Sequence, residues 1–141
     1  MSIERSLEVI QEEDCLDLLR SMSVGRIGLS MGALPVVLPV NYVLDSGRII
    51  LRTGFGTKLS AAIRNAVVCF EVDQIDSGVE AGWSVLVTGT ARELQGAEAA
   101  YAATLPLRPW SPQAGDHLVA IGIELVSGRR IAADRLVMPV S

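Results

Sequence analysis

A mainly β domain, an antiparallel barrel with a few flanking helices, is what this sequence predicts. Three observations carry that expectation. Six or seven short runs rich in Val, Ile and Leu recur along the chain, turn residues separate most of them at hairpin spacing, and only two or three segments pattern as helix. At 141 residues the chain can bury one core, so a single domain spanning 1–141 is expected.

Glu12, Glu13 and Asp14 precede a helix over Cys15–Met22, whose acidic start and Arg20 near its end suit the helix dipole. Leu16, Leu19 and Leu18 or Met22 give it an apolar stripe. Val24–Ser30 and Pro35–Leu44 read as strands about a Met31-Gly32-Ala33 turn, and Asp45-Ser46-Gly47 turns the chain into a third, Arg48–Arg52. Pro39 has no amide hydrogen for a ladder, so its strand must be bent, bulged or at an edge there. Lys58–Ile63 reads as the opening of a short helix, Val67–Asp73 as a strand and Gln74–Ala81 as an exposed acidic loop. Trp83–Arg92 is a long strand with a bulge or bend at Gly89. An alanine-rich helix over Gly96–Leu105 stops at Pro106, and Leu107–Pro112 is irregular. Two last strands, Leu118–Leu125 and Gly128–Ala133, flank a turn at Val126-Ser127-Gly128.

Composition removes several function classes. Half of the residues are hydrophobic and the mean hydropathy is +0.40, which excludes a disordered chain. A formal charge of -4 with 4% aromatics lacks the basic stripe and stacking rings of a nucleic-acid binder. The stretch Val24–Val43 is interrupted by Arg26, Gly28, Gly32, Pro35, Pro39 and Asn41, so no membrane span is expected. Met1–Arg5 lack the layout of a signal peptide, and the expected location is the cytoplasm. Cys15 and Cys69 lie outside any CxxC pattern and read as reduced, packed thiols. His117 is the only histidine, in a turn entering a strand, which disfavours a Ser-His-Asp triad or a zinc centre.

One stretch has the design of an anion site. Leu51-Arg52-Thr53-Gly54-Phe55-Gly56-Thr57-Lys58-Leu59 runs from a strand end through two glycines into a helix start, where unpaired amides and the helix dipole favour a phosphate. Arg52 adds a planar fork, Thr53 and Thr57 add hydroxyls, and Lys58, the only lysine, adds a compact charge. Ordinary roles stand beside these: a Thr57 helix cap with a solvated Lys58, or Arg52 paired with Asp45 or Glu71 across strands.

Taken in order, Val24-Gly25-Arg26-Ile27-Gly28, Pro39-Val40-Asn41-Tyr42-Val43, Arg52-Thr53-Gly54-x-Gly56-Thr57-Lys58, Val68–Asp73 and Gly82-Trp83-Ser84-Val85-x-Val87-x-Gly89 resemble the pyridoxamine 5'-phosphate oxidase-like family of FMN-binding split barrels. The resemblance covers roughly Cys15 to Arg130 and lies nearest the family's small members. It implies a six-stranded antiparallel split β-barrel that forms a homodimer, with flavins in clefts between subunits. It also implies that Arg52, Thr53, Thr57 and Lys58 hold the FMN phosphate and ribityl chain. Pro39, Val40, Asn41 and Tyr42 would run beside the isoalloxazine ring with their backbone groups, and Trp83 and Ser84 would approach from a neighbouring strand, of either subunit. Pro109-Trp110 and Gly128-Arg129-Arg130 resemble late elements that close the cleft. Tyr42 and Trp83 read equally as core aromatics with a hydrogen-bonded tip, and Arg129-Arg130 as a solvated strand end. An Arg-x-His element of pyridoxamine phosphate oxidase itself is absent, which speaks against vitamin B6 oxidation.

The expected function is an FMN-dependent oxidoreductase for a small molecule, with no dedicated acid-base residue at the ring. The alternatives are a non-enzymatic flavin-nucleotide store and a reductase using the deazaflavin coenzyme, whose charged tail Arg26, Arg108, Arg129 or Arg130 could meet. The apolar content and the long strand from Trp83 suggest a face that a twofold partner covers.

Overall fold

Buried and exposed residues alternate along the strands, and that alternation curls the sheet around one interior. In the computed structural model, which describes residues 2–53, 61–107 and 117–137 with side chains placed over 7–52, 61–107 and 117–131, the elements run β1 Ser2–Ile10, α1 Glu12–Ser21, β2 Val24–Met31, β3 Leu34–Asp45, β4 Arg48–Thr53, β5 Val67–Asp76, β6 Ala81–Glu93, α2 Gly96–Ala102, β7 His117–Gly122 and β8 Leu125–Val137. Strands β6-β5-β2-β3-β4-β7 follow one another as antiparallel neighbours, and a β6–β7 pairing closes them into the expected six-stranded barrel. β8 and then β1 extend the sheet from the other edge of β6. Two strands serve both parts. Leu34–Asn41 of β3 pair with β2 and Tyr42–Asp45 with β4, while Gly82–Thr88 of β6 pair with β8 and Ala91–Glu93 with β7.

Each handover carries a residue suited to it. Pro39 lies opposite Arg26 in the part of β3 that, among the described residues, has β2 as its one neighbour, so its missing donor faces the strand edge. Gly89 sits where β6 leaves β8 for β7, and a Cβ there would fall 1.6 Å from the Gly122 carbonyl oxygen. The glycine marks a close backbone approach at the corner, with the β5 ladder continuing through it.

The interior holds Ile27, Val40, Tyr42, Ile49, Leu51, Phe70, Val72, Val85, Val87 and Ile121, with Cys15 and Leu19 of α1 sealing it. Tyr42 packs edge-on against Phe70, ring centres 4.8 Å apart, and donates its hydroxyl proton to the Leu19 carbonyl, tying α1 to β3. A second cluster, Ile50, Leu94, Ala102, Leu107, Leu118 and Ala120, lies between the outer face of β4–β7 and α2, so β4 is buried on both faces.

Three segments differ from the sequence expectation. Gln74–Asp76, expected in a loop, continue β5 opposite Ala81–Trp83, and the turn is confined to Ser77–Glu80, held by Asp76 Oδ1 accepting from the Gly78 amide at 2.9 Å. Polar composition hid the strand because this ribbon is largely exposed. Val126, Ser127 and Gly128 do not turn: they pair with Val87, Leu86 and Val85, and the chain reverses earlier, where the Glu124 amide donates to Thr88 O at 3.1 Å. Gly128 is required for space, since a Cβ would lie 2.6 Å from Cys15 Sγ and 2.9 Å from Ile10 Cβ. Finally, Ser2–Ile10 form β1 along β8, a pairing with no local turn to announce it.

Candidate functional site

β3 and β4 meet antiparallel with Tyr42 opposite Leu51, the last pair of their ladder, and Asn41 and Arg52 follow it on the two strands. Tyr42 and Leu51 point into the core; Asn41 and Arg52 therefore share the outer face, under the chain that follows α2. Arg52 Nη1 donates to Leu107 O at 3.3 Å, and Ser23, Asn41, Tyr42 and Pro106 line a cleft of about 230 Å³ at this junction. The layer above is clamped by charge: Glu98 of α2 takes Arg92 at 3.1 Å and Arg48 at 3.3 Å, and Tyr101 donates to Asp45 Oδ1 at 3.0 Å. Glu98 is held below the usual carboxylate range, first by the hydrogen bond from Arg92.

The expected site residues divide by face. Asn41 and Arg52 fall on the outer face by strand alternation, Asn41 in the cleft with Pro106 and Arg52 under Leu107. Val40 and Tyr42 are buried, so their side chains serve the core and burial raises the Tyr42 phenol, which remains protonated. The Tyr42 amide donates to Ser23 O at 3.0 Å. Pro39 is exposed one row further along β3. Thr53 ends β4 opposite His117, while the expectations for Thr57, Lys58, Pro109 and Trp110 lie outside the described residues.

Trp83 and Ser84 sit elsewhere, near the start of β6. Glu93, at the other end of that strand, lies opposite Val119, next to the Leu118 that faces Arg52. Nine residues separate Ser84 from Glu93, at most about 30 Å at roughly 3.3 Å per residue along a strand that turns a corner at Gly89, so the start of β6 lies away from the strand end beside Arg52. Alternation also parts the neighbours: Ser84 stands opposite Arg129 on the outer face of the sheet, whereas Trp83, opposite Arg130, packs against the main core.

Two charged groupings were not legible in the sequence. His117, expected in a turn entering a strand, is the first residue of β7, with Nδ1 2.7 Å from Glu93 Oε1, and Arg64 approaches the same carboxylate at 3.4 Å. The hydrogen bond to His117 holds the Glu93 carboxyl below its ordinary value. On the outer face of β2–β5, Arg26 Nη1 lies 3.1 Å from Glu71 Oε1 and 3.0 Å from Asp73 Oδ2. Glu71, Asp73 and Arg26 alternate along their strands, and that period-2 placement is the only signal that could have paired them.

A six-stranded barrel closed at one strand and extended at its edge, with a polar junction outside β3 and β4, is the split-barrel architecture. The chain belongs to the pyridoxamine 5'-phosphate oxidase family, whose family model matches residues 11–130. Among its relatives, a Mycobacterium tuberculosis protein named Uncharacterized protein Rv0080 is 38% identical over 135 residues, covering 92% of this chain and 89% of the relative. The FAD binding protein from Mycobacterium smegmatis is 36% identical with a TM-score of 0.72, over 86% of this chain and 95% of that one. A conserved protein of unknown function from Corynebacterium diphtheriae, DIP1874, is 34% identical with a TM-score of 0.76, over 89% and 98% of the two chains. No helix among the described residues is long and apolar enough to cross a membrane.

Proposed function

We propose that this protein binds a flavin nucleotide and uses it to oxidise or reduce a small molecule. The observation that carries the reading is the Asn41–Arg52 junction, a cation and an amide on one outer face at the point where β4 leads toward Thr57 and Lys58. The cleft of about 230 Å³ there is below the roughly 300–1,000 Å³ of whole small-molecule sites, so it suits the phosphate-bearing end of a nucleotide, the remainder lying against other surface. A homodimer supplies that surface, a second copy bringing its Trp83–Ser84 strand to the Arg52 of the first.

When bound, the flavin supplies the hydride or electron transfer. Arg52 contributes a guanidinium fork to the anionic tail, with the threonines and Lys58 that follow adding donors. Asn41 offers both a donor and an acceptor to the polar edge of the ligand. Val40 and Tyr42, locked in the core, fix the strand from which Asn41 projects. FMN is the nucleotide that the resemblance implies, whereas the Mycobacterium smegmatis relative, named an FAD binding protein, favours FAD; both contain the riboflavin phosphate that these residues fit.

The test is the visible spectrum of the purified protein, mass spectrometry of what denaturation releases, and titration with FMN, FAD and the deazaflavin coenzyme. Arg52→Ala with Lys58→Ala should stay folded by circular dichroism and weaken flavin binding about 100-fold, the effect of two charge-assisted contacts. A protein that binds none of the three cofactors defeats the reading. One that binds flavin tightly yet shows no turnover with nicotinamide, deazaflavin or dye donors is a flavin store.

A further inference from the structure

The two ends of the stretch that carries Thr57 and Lys58 are tied, directly or through a ladder partner, to one carboxylate. Thr53, at its start, is the partner of His117 in the β4–β7 ladder, which sets their Cα atoms about 4.5–5.5 Å apart. At its close Ile63 is buried in the core, the Ala91 amide of β6 donates to Ala66 O at 2.8 Å, and Arg64 stands 3.4 Å from Glu93 Oε2. The other oxygen of Glu93 lies 2.7 Å from His117 Nδ1. Val119 of β7 and Ala91 of β6 belong to the main core, so alternation puts His117 and Glu93 at the next positions on that side, at the end of the barrel. Arg52, opposite Leu118, lies on the outer face of the same strand end.

Glu93 fixes what the imidazole can offer. Its carboxyl is held below the ordinary value, first by the hydrogen bond to His117, so it is ionised at neutral pH and only accepts. Nδ1 therefore carries the proton of a neutral ring, and Nε2 has a lone pair, which no phosphate oxygen can use. Protonation turns Nε2 into a charged donor. Among the described residues, Glu93 of β6 and Arg64 are the charged groups that face the ring. Their charges cancel, so the cluster is neutral with a neutral ring and carries one positive charge with a protonated one. The His117 side chain is 38% exposed against 17% for Glu93, which leaves the ring reachable.

We propose that His117 is a proton-dependent ligand of the flavin phosphate, held by Glu93 through Nδ1 and donating through Nε2 when the ring is protonated, so that binding the phosphate takes up a proton. The inference rests on the flavin reading and adds a pH dependence to that site. A phosphate beyond the end of β4 is met by Arg52 from the outer face and by His117 from the end of the barrel.

Fluorescence titration of the full chain with FMN, and with riboflavin, which lacks the phosphate, tests it at about pH 6 and about pH 8, the range across which histidine titrates. FAD replaces FMN where the parent prefers it. His117→Asn keeps an amide donor for Glu93 and loses the charged Nε2–H. It should bind FMN at least about fivefold more weakly than the parent at the lower pH and within about twofold of it at the higher, as one charge-assisted contact is lost. Comparing variant with parent at one pH cancels the ionisation of the phosphate itself, whose second pKa is about 6. Riboflavin should bind the two proteins alike at both pH values. His117→Gln should lose the pH dependence in the same way and takes the place of the first variant if circular dichroism shows that one unfolded. An FMN loss of equal size at both pH values, a loss shared by riboflavin, or no loss at the lower pH overturns the proposal. A parent that binds flavin and is indifferent to His117 keeps the flavin reading and loses this one; a parent that binds no flavin defeats both.

Discussion

Glu71 is a carboxylate held against its ordinary titration by its surroundings. Burial first, then a hydrogen bond and repulsion from Asp73, push its carboxyl up to about 7, against the pull of Arg26. The folded protein therefore holds a proton that the unfolded chain, with its ordinary value of 4.5, has released. This contribution to stability is complete below about pH 4.5 and is lost as pH rises through about 7. Glu71→Gln removes the dependence. At pH 8 the variant should be more stable by about 1 kcal/mol, a figure reduced for a side chain 31% exposed, with a Tm higher by about 2–4 °C, and at pH 4 the two should melt together. A lower Tm for the variant at pH 8 would show that the Arg26 pair outweighs the burial. Pairing is also where residue types misled: of the acids considered for Arg52, Asp45 receives Tyr101 and Glu71 receives Arg26.

Elements were legible wherever local pattern decided them. The β2–β3–β4 meander follows from its glycine turns, with Gly32 and Gly47 at φ 64 and 73 and Ser46 at φ 53, and from the period-2 burial of β2. Legibility failed where pairing overrode composition, at Gln74–Asp76, at Val126–Gly128 and in β1. Gly89 tests how strictly closure depends on an element corner. Its missing Cβ would meet Gly122 backbone at 1.6 Å, and backbone in a closed barrel has nowhere to retreat. Gly89→Ala is expected to destabilise by more than about 3 kcal/mol, the upper range for overpacking, or to prevent folding; a denaturant melt within about 1 kcal/mol of the parent would show that the corner yields.

For the whole molecule, the separation of Arg52 from Ser84 by the length of β6 decides how a flavin site can be completed. If the two residues reach one cofactor from different copies, the flavin site needs a dimer. Light scattering should give twice the monomer mass of 15.0 kDa, and flavin binding should fall as the dimer is diluted apart. A monodisperse monomer that keeps its flavin would limit the site to the Asn41–Arg52 junction.

The sequence by itself determined the barrel class, most strand limits and the residue types at the β4 end, because hydrophobic period, turn chemistry and a lone lysine after two glycines are local properties of the chain. Tertiary structure alone decided which of those residues share a face. Tyr42 went to the core and Asn41 to the cleft, Trp83 inward and Ser84 outward, and His117 found Glu93 across 24 residues, because strand register and barrel closure are long-range pairings that no short window of sequence encodes.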